Sequence, residues 1–297
     1  MEIKALRYFL AVAHEGSISG ASRFLNVAQP ALSRRMKELE EELGKRLFIR
    51  GNRNISLTAE GMTLRSRAEE IIEMADRTKA EFQNIPDDCV SGDIYIGGGE
   101  THGMRLIAET VTEIRADFPS VRFHLYSGNA EDVTERLDKG LLDFGILIQP
   151  TDLSKYNSLS LPVKDVWGVV MAKDCALAAK KSVSKKDLAG LPLILSRQAV
   201  QKTAMKNAFV NWFGKDFEKL NVVATYNLVF NAALLAERGA GYVITLDRLI
   251  DGMGCGNVRF RPLTPVLESN LDIVWKKHQI FSPAATLFLE TLRKKCV

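Results

Sequence analysis

Hydrophobic residues at the start of the chain recur at the spacing of short amphipathic helices. The apolar positions of the first predicted helix are Leu6, Phe9, Leu10 and Ala13. That helix is predicted to end at Gly16, and Ser17 can cap the next one. The apolar face of the second predicted helix is formed by Ala21, Phe24 and Leu25. A tight turn at Asn26 and Val27 follows, so the pattern predicts two short helices leading directly into a third.

A third helix is predicted to start near Pro30, which needs no backbone donor in a first turn. Its buried stripe at 100° per residue is Leu32, Met36, Leu39 and Leu43. The outward side of its N-terminal half carries Pro30, Ser33, Arg34 and Lys37. The acidic residues that follow are Glu38, Glu40, Glu41 and Glu42. In helix-turn-helix docking the N-terminal half contacts base edges and phosphates, so we predict that the acidic end points away from the duplex.

Two short apolar segments, 47–49 and 55–57, predict a hairpin whose turn is rich in Gly and Asn. Between Gly16 and Thr58 there are eight basic and four acidic residues, so this segment alone carries the net charge of +4 that the whole chain has. A basic amphipathic helix taken alone is more often solvated surface. Its placement beside a turn and a hairpin, or wing, favours contact with nucleic acid.

Apolar residues after Thr58 alternate at spacings of four and three, which defines a heptad seam about three repeats long. The seam consists of Leu64, Ala68, Ile71, Ala75, Thr78, Phe82 and Ile85, and Pro86 ends it. We predict that this helix pairs with a copy of itself, which suits the reading of two DNA half-sites. The alternative is that the helix packs against its own domain.

The remaining two-thirds of the chain alternates between strand and helix patterns. Strands are predicted near 94–96, 121–126, 142–148, 166–171, 193–195, 222–225 and 242–245. Helices are predicted up to Arg115 and over 130–139, 201–212 and 228–238. One more strand and an amphipathic helix close the chain. This order predicts two α/β lobes with a mostly parallel sheet.

Composition narrows the function classes. A chain of 297 residues is long enough for two or three domains, and its small net charge leaves local clustering to decide on nucleic-acid binding. Cys89, Cys175, Cys255 and Cys296 lie far apart, so neither a disulfide framework nor a metal site is expected. HExxH and GxSxG motifs are absent, which disfavours hydrolases. With no apolar run of 18 residues and no signal-like start, we expect a cytoplasmic protein without membrane contact.

The segment GSISGASRFLNVAQPALSRRMKELEEELGKRLFIRGNRNISLTAEG resembles the N-terminal winged helix-turn-helix of LysR-type transcriptional regulators. Beyond it, LLDFGIL and the tail NLDIVWKKHQIFSPAATLFLETLRKK are similar to family segments, so the resemblance covers nearly the whole chain. It implies a DNA-binding domain over 1–58, a dimerisation linker helix over 59–86 and an effector-binding domain over 87–297. The latter resembles a periplasmic binding protein, with lobe I near 90–162 and 267–297 and lobe II near 163–266.

The resemblance also implies partners. They are double-stranded DNA, a small-molecule effector of unknown identity, further copies of the chain in a homotetramer, and RNA polymerase, with the regulator acting as activator or repressor. It implies no catalysis and no cofactor. The DNA contacts expected by position and face are Gln29, Pro30, Ser33, Arg34 and Lys37 on the helix and Arg50 and Arg53 in the wing. Ala28 departs from the hydroxyl residue common in the family and caps a helix poorly.

Ligands of α/β sheets bind beyond the carboxyl ends of strands, and the residues at those ends are the effector candidates. They are Gly99, Glu100, Thr101, His102, Asn129, Gln149, Ser196, Asn227 and Thr245. Each could instead be a cap or turn residue. Thr101 matches a family Ser/Thr that holds an effector, whereas the acidic Glu100 disfavours a carboxylate effector. Two rival classes are a solute-binding protein, which would need export, and an enzyme using His102 with Glu100 and Thr101.

Overall fold

The computed structural model describes residues 1–51, 54–83, 90–200, 208–250 and 256–296. The chain divides into two units, Met1–Asn84 and Ile85–Val297. The first unit contains α1 (Ile3–Glu15), α2 (Ile18–Leu25), α3 (Gln29–Leu43), β1 (Phe48–Arg50), β2 (Ile55–Leu57) and α4 (Ala59–Gln83). Strands β1 and β2 pair antiparallel with Phe48 opposite Leu57. This is the predicted winged helix-turn-helix followed by a long helix.

The predicted ends of the short helices are confirmed. Gly16 ends α1 in the left-handed conformation with φ 61°, and the Ser17 hydroxyl accepts the Gly20 N–H at 3.0 Å. Asn26 ends α2 with φ 53°. The prediction for Phe24 is wrong, because this side chain is 70% exposed. The buried face of α2 is centred between Ala21 and Ser22, and at 100° per residue Phe24 lies about 110° from that centre.

Helix α3 buries three of its four predicted core positions, Leu32, Met36 and Leu39, whereas Leu43 at its last turn is exposed. One residue of the acidic run on α3 also has a structural role that the sequence did not indicate. Oε1 of Glu40 accepts the backbone N–H of Leu47 at 2.7 Å and that of Phe48 at 3.2 Å. One carboxylate on α3 therefore holds the start of the wing.

The start of α4 packs closely on the chain before the wing. The Thr58 hydroxyl donates to the Arg46 carbonyl at 2.8 Å and accepts the Gly61 N–H at 2.9 Å. A Cβ at Gly61 would lie 2.2 Å from the Leu47 carbonyl oxygen, so only glycine allows this approach. The close approach of the Leu47 backbone therefore explains why LTAEG has a glycine at this position.

Helix α4 contributes Leu64, Ala68 and Ile72 to the core of its own unit. Arg7 on α1 also pairs with Asp76 on α4. The alternative that the helix packs on its own domain therefore holds for its first half, including two positions of the predicted seam. Ile71 of that seam remains 38% exposed. The side chain of Phe82 and residues Ile85 and Pro86 lie outside the described residues.

The second unit contains the other elements. Its strands are β3 (Gly92–Gly98), β4 (Val121–Ser127), β5 (Phe144–Ile148), β6 (Tyr156–Ala172), β7 (Val183–Ser184), β8 (Leu193–Ser196), β9 (Val222–Tyr226), β10 (Tyr242–Leu246), β11 (Val258–Thr264) and β12 (Glu268–Lys276). Its helices are α5 (Met104–Asp117), α6 (Ala130–Asp138), α7 (Lys185–Leu188), α8 (Arg197–Val200), α9 (Ala208–Phe213), α10 (Val229–Glu237) and α11 (Pro283–Lys295). The predicted helix over 201–212 is described only from residue 208.

The 17-residue strand β6 joins two lobes in a sheet of order β4-β3-β5-β12-β6-β10-β8-β9. Its first part pairs with β12 up to Val166, and from Trp167 it pairs with β10. Lobe I contains β3, β4, β5 and β12, and lobe II contains β8, β9, β10 and β11. The outer strands of each lobe are parallel, as predicted, but β12 and β10 run antiparallel to β6. The sheet is therefore mixed at its centre.

The sequence pattern predicted only the second half of β6. Pro162 lies inside the strand, and a proline argues against a central strand because it donates no ladder hydrogen bond. The structure accommodates Pro162 at an irregularity, where the register shifts between Asn270 and Asp272 on β12. Each lobe has its own core, and α11 packs Ala284, Ala285 and Phe288 onto lobe I.

The substitution Glu40→Ala tests the link between α3 and the wing. We expect the amides of Leu47 and Phe48 to exchange hydrogen about 10- to 100-fold faster, because charge-assisted hydrogen bonds contribute roughly 1.5–3 kcal/mol. Hydrogen–deuterium exchange of peptides covering 44–50 measures this. The control is Glu41→Ala, which removes only the exposed pair with Lys37. Unchanged exchange in Glu40→Ala would show that the carboxylate does not hold the wing.

Candidate functional site

The outward face of α3 gathers the predicted helix contacts. Gln29, Pro30, Arg34 and Lys37 are exposed and Ser33 is half-buried. Ala28 makes no side-chain cap, as its residue type predicts. The wing residue Arg50 lies in β1, but its side chain is not described, and Arg53 lies outside the described residues. The role of these residues in DNA contact stays a prediction.

The basic residues of this face pair with the acidic residues that follow them. Arg34 Nε donates to Glu38 at 2.9 Å, and Arg35 donates to the other oxygen of Glu38 at 3.1 Å. These contacts, first of all the Arg34 hydrogen bond, lower the pKa of Glu38. Lys37 lies 3.4 Å from Glu41. All these pairs are solvent-exposed, so a phosphate can replace the carboxylates at little cost. Arg35 is a candidate contact that sequence reasoning missed, although it stands beside Arg34.

A cavity of about 360 Å³ lies between the two lobes. Of the predicted effector residues, those that line it are Gly99, Glu100, Asn129, Gln149, Ser196, Asn227 and Thr245. These residues follow or end strands of both lobes, so the ends of β3, β4, β5, β8, β9 and β10 converge on this cleft. Ligands of α/β sheets bind beyond the carboxyl ends of strands, and the structure places the residues at those ends around one cleft.

Thr101 and His102 are not among the residues that line the cavity. Thr101 is 5% exposed, its hydroxyl donates to Asp165, and its oxygen accepts the Gly103 N–H at 3.1 Å. Burial raises the pKa of Asp165, and the nearby Asp247 adds to the effect while the Thr101 hydrogen bond opposes it. Thr101 therefore ties the start of α5 to β6 at the crossover between the lobes.

The amide side chains of the cleft are engaged with the protein itself. Gln149 donates to Asp272 at 2.7 Å and accepts the Thr151 N–H at 2.7 Å. Asn129 caps α6 by accepting the Asp132 N–H at 3.0 Å. The amide oxygen of Asn227 likewise accepts the Leu228 N–H at 3.0 Å. These residues shape the cleft, as the cap and turn alternative suggests.

Glu100 connects the two lobes across the cleft. It follows β3 in lobe I, and its Oε2 accepts the N–H of Val229, the first residue of α10 in lobe II. Burial raises the pKa of Glu100, and the Val229 N–H only partly offsets this effect. A half-buried carboxylate thus forms part of the cleft wall and of the contact that closes it.

Sequence reasoning missed the aromatic and further acidic residues of the wall, Trp167, Tyr226, Glu131 and Asp152. The Trp167 ring nitrogen donates to Ser269 at 2.9 Å, and the Tyr226 hydroxyl donates to the Ile244 carbonyl at 2.8 Å. Trp167 and Tyr226 lie within strands, and an aromatic residue in a strand is normally predicted to belong to the core. Only the pairing of β6 with β10 and of β9 with β8 brings them to the cleft.

The structure also bears on metal binding and on membrane insertion. Within the described residues, no group of three or more His, Cys, Asp or Glu side chains could hold a metal ion. Over the same residues, no helix has the length and apolar character needed to cross a membrane.

Comparison with known proteins identifies the family. Residues 3–62 match the family described as bacterial regulatory helix-turn-helix protein, lysR family, and residues 89–297 match the LysR substrate binding domain. The chain therefore belongs to the LysR family of DNA-binding transcriptional regulators. These proteins are regulators, not enzymes. They bind DNA and small-molecule effectors and form oligomers.

Similar proteins extend over the whole chain. The HTH-type transcriptional regulator AlsR of Bacillus subtilis is 32% identical over 286 residues, which are 93% of this chain and 85% of AlsR. The Hca operon transcriptional activator HcaR of Escherichia coli is 26% identical over 99% of this chain and 98% of HcaR. Full-length CbnR in complex with its target DNA has a TM-score of 0.77 at 19% identity, covering 99% of this chain and 100% of CbnR. The fold of this chain is thus that of a full-length LysR regulator.

The raised pKa of Glu100 predicts a pH dependence of stability. The folded state binds the Glu100 proton more tightly than the unfolded state does, so the contribution of Glu100 to stability falls as pH rises from about 4.5 through its folded pKa. Glutamine does not titrate, and Glu100→Gln should therefore gain stability relative to the wild type over this range. Thermal unfolding of both proteins from about pH 4 to pH 8 measures the difference. A difference that shrinks with rising pH would contradict the raised pKa.

Proposed function

We propose that the N-terminal half of α3 and the wing read a DNA sequence, and that a small effector bound in the cleft changes this binding. What carries the proposal is the presence of two separate features in one LysR chain. One is an exposed basic face on α3, and the other is a cavity lined by strand ends of two lobes. A relative of the same fold, CbnR, forms a complex with its target DNA.

The proposed DNA contacts are the helix residues Gln29, Pro30, Ser33, Arg34 and Lys37 and the wing residues Arg50 and Arg53. Arg34 is the most exposed of the paired residues on α3, with 82% of its side chain accessible. Its bond to Glu38 keeps the guanidinium extended along the helix before DNA arrives. A bidentate contact of arginine with a guanine or a phosphate would then replace that bond.

The proposed effector site is the cleft, with Glu100, Ser196 and Thr245 among its walls. A ligand that binds one arrangement of the lobes better than another shifts the equilibrium between them, and this differential affinity is the source of regulation. The Glu100–Val229 contact joins the two lobes, so such a shift would alter it. We infer no cofactor for this regulation.

We further propose that the regulator works as a homotetramer in the cytoplasm and that RNA polymerase is a partner at its promoters. The exposed Ile71, with Ala75 and Thr78 in the same seam, is the part of α4 left for pairing with a second copy. Two winged dimers would then contact one operator. Activation and repression are both compatible with this arrangement.

The substitution Arg34→Ala tests the DNA-reading assignment. Sites are first selected by the full chain from a pool of random duplexes, and affinity for them is then measured by fluorescence anisotropy. We expect a loss of about 5- to 150-fold, equal to roughly 1–3 kcal/mol for a specific arginine contact. The control is Arg65→Ala on α4, which breaks a similar pair with Glu69 at 3.0 Å. If Arg34→Ala bound the selected sites with wild-type affinity, the proposal that α3 reads DNA would be wrong.

The substitution Ser196→Trp tests the cleft, because a tryptophan at the end of β8 would fill part of the cavity. Metabolites that are cationic, neutral or anionic are screened for their effect on the unfolding temperature of the full chain. A ligand at a hundred times its Kd stabilises by about 2.7 kcal/mol. We expect Ser196→Trp to abolish this effect and any ligand-dependent change in DNA affinity, and the matched control Ser196→Ala to keep both. Hits unaffected by Ser196→Trp would place the effector elsewhere.

A further inference from the structure

The charge of the cleft indicates what class of ligand it takes. We propose that the cleft selects an organic ammonium compound with an apolar body and rejects carboxylates, and that Glu100 is the residue that determines this choice. The inference rests on the proposed function, which assigns the effector to this cleft. It deepens that function by naming the charge of the ligand.

The charged side chains among the described lining residues are all acidic. Glu100, Glu131 and Asp152 contribute carboxylates, and no lysine, arginine or histidine stands among the lining residues that the structure describes. Lys155 acts electrostatically on Asp152 but does not line the cavity. A ligand carboxylate would therefore meet like charges, whereas an ammonium group would meet opposite ones.

Several donors that could bind a carboxylate are already engaged. The first amide of α10, at Val229, donates to Glu100, so the protein's own carboxylate occupies the helix end where an external anion would bind. The amide group of Gln149 donates to Asp272. At the start of α6, the Asp132 N–H donates to Asn129. A ligand carboxylate would have to displace these internal acceptors before it gained a partner.

Among the described residues, Glu100 has no positively charged partner. Burial is the main cause of its raised pKa, and the groups that act on it include the Val229 amide but no cationic side chain. One carboxylate oxygen accepts the Val229 N–H, which leaves the second oxygen for a ligand. An ammonium group placed there would be the counter-ion of a half-buried carboxylate, and such charge-assisted contacts are strong.

The rest of the wall suits an apolar body beside the positive charge. The polar atoms of Trp167 and Tyr226 form hydrogen bonds with Ser269 and Ile244. Their rings therefore provide apolar surface in the cavity wall. Aromatic rings attract cations as well as apolar groups. Further apolar lining comes from Ile148, Pro150, Val229, Leu246 and Leu249. The volume of about 360 Å³ is within the range of sites for small organic ligands.

Three probes of similar shape and different charge test the inference on the full chain. They are 2-phenylethylamine, which is cationic at neutral pH, 3-phenylpropionate, which is anionic, and 2-phenylethanol, which is neutral. Isothermal titration calorimetry gives their affinities. We expect the wild type to bind the amine at least tenfold more tightly than the carboxylate, with the alcohol between them.

Glu100→Gln is the decisive variant because it keeps the side-chain shape and an acceptor for Val229 but removes the charge. We expect it to bind the amine at least tenfold more weakly and to narrow the difference from the carboxylate. The matched control is Glu109→Gln on α5, an exposed glutamate outside the cavity lining, which should keep wild-type affinities. Thermal unfolding of both variants verifies that they fold.

The outcomes separate this inference from the proposed function. Tighter binding of 3-phenylpropionate than of the amine, or amine binding that Glu100→Gln leaves unchanged, would overturn the inference. If Ser196→Trp abolished that carboxylate binding, the cleft would still be the effector site and only its charge preference would be wrong. Absence of amine binding to the wild type also overturns the inference, while the metabolite screen with Ser196→Trp decides the proposed function independently.

Discussion

The continuous strand β6 is the element on which the ligand-binding half of the protein depends. Its first part completes the sheet of lobe I with β12, and its second part completes the sheet of lobe II with β10. Because one strand belongs to both sheets, the ends of the parallel strands in both lobes face a common cleft. Asp165 is fully buried where β6 crosses between the lobes, and it accepts a hydrogen bond from the Thr101 hydroxyl. This bond attaches the start of α5 to the crossover. The cleft is therefore a product of backbone pairing before any ligand binds.

The charged residues on the outward face of α3 pair with one another, whereas the described contacts of Glu100 in the cleft include no ion pair. On α3, each basic residue of the outward face has an acidic partner one turn later, and these exposed pairs exchange readily with phosphates. In the cleft, the partner of Glu100 within the described part of the chain is the Val229 amide, not a cation. The proposed DNA-binding face therefore carries cations in exposed pairs, whereas the proposed effector site carries a half-buried carboxylate that a cationic ligand would neutralise. The same physical rule, that buried charge needs a partner, distinguishes the two sites.

Sequence reasoning succeeded where a local pattern determines the structure. The stripe Leu32, Met36 and Leu39, the left-handed Gly16 and the strand ends around the cleft all follow from spacing and turn chemistry. It failed where contacts between distant residues decide. Thr101 bonds to Asp165, which lies 64 residues away along the chain. The first half of β6 was not predicted because it contains Pro162. Trp167 and Tyr226 resembled core positions because nothing in a strand pattern shows which face lines a cleft.

The bond between Glu40 and the wing has a consequence for operator choice. Glu40 lies on α3 two turns after Arg34, so the backbone at Leu47 and Phe48 is registered to the helix that would enter the groove. These two hydrogen bonds therefore hold the start of the wing at a fixed position relative to α3. If helix and wing contact DNA as proposed, the phosphates contacted by the wing must lie at a set distance from the bases contacted by α3. Binding would then depend on the local geometry of the duplex as well as on its base sequence.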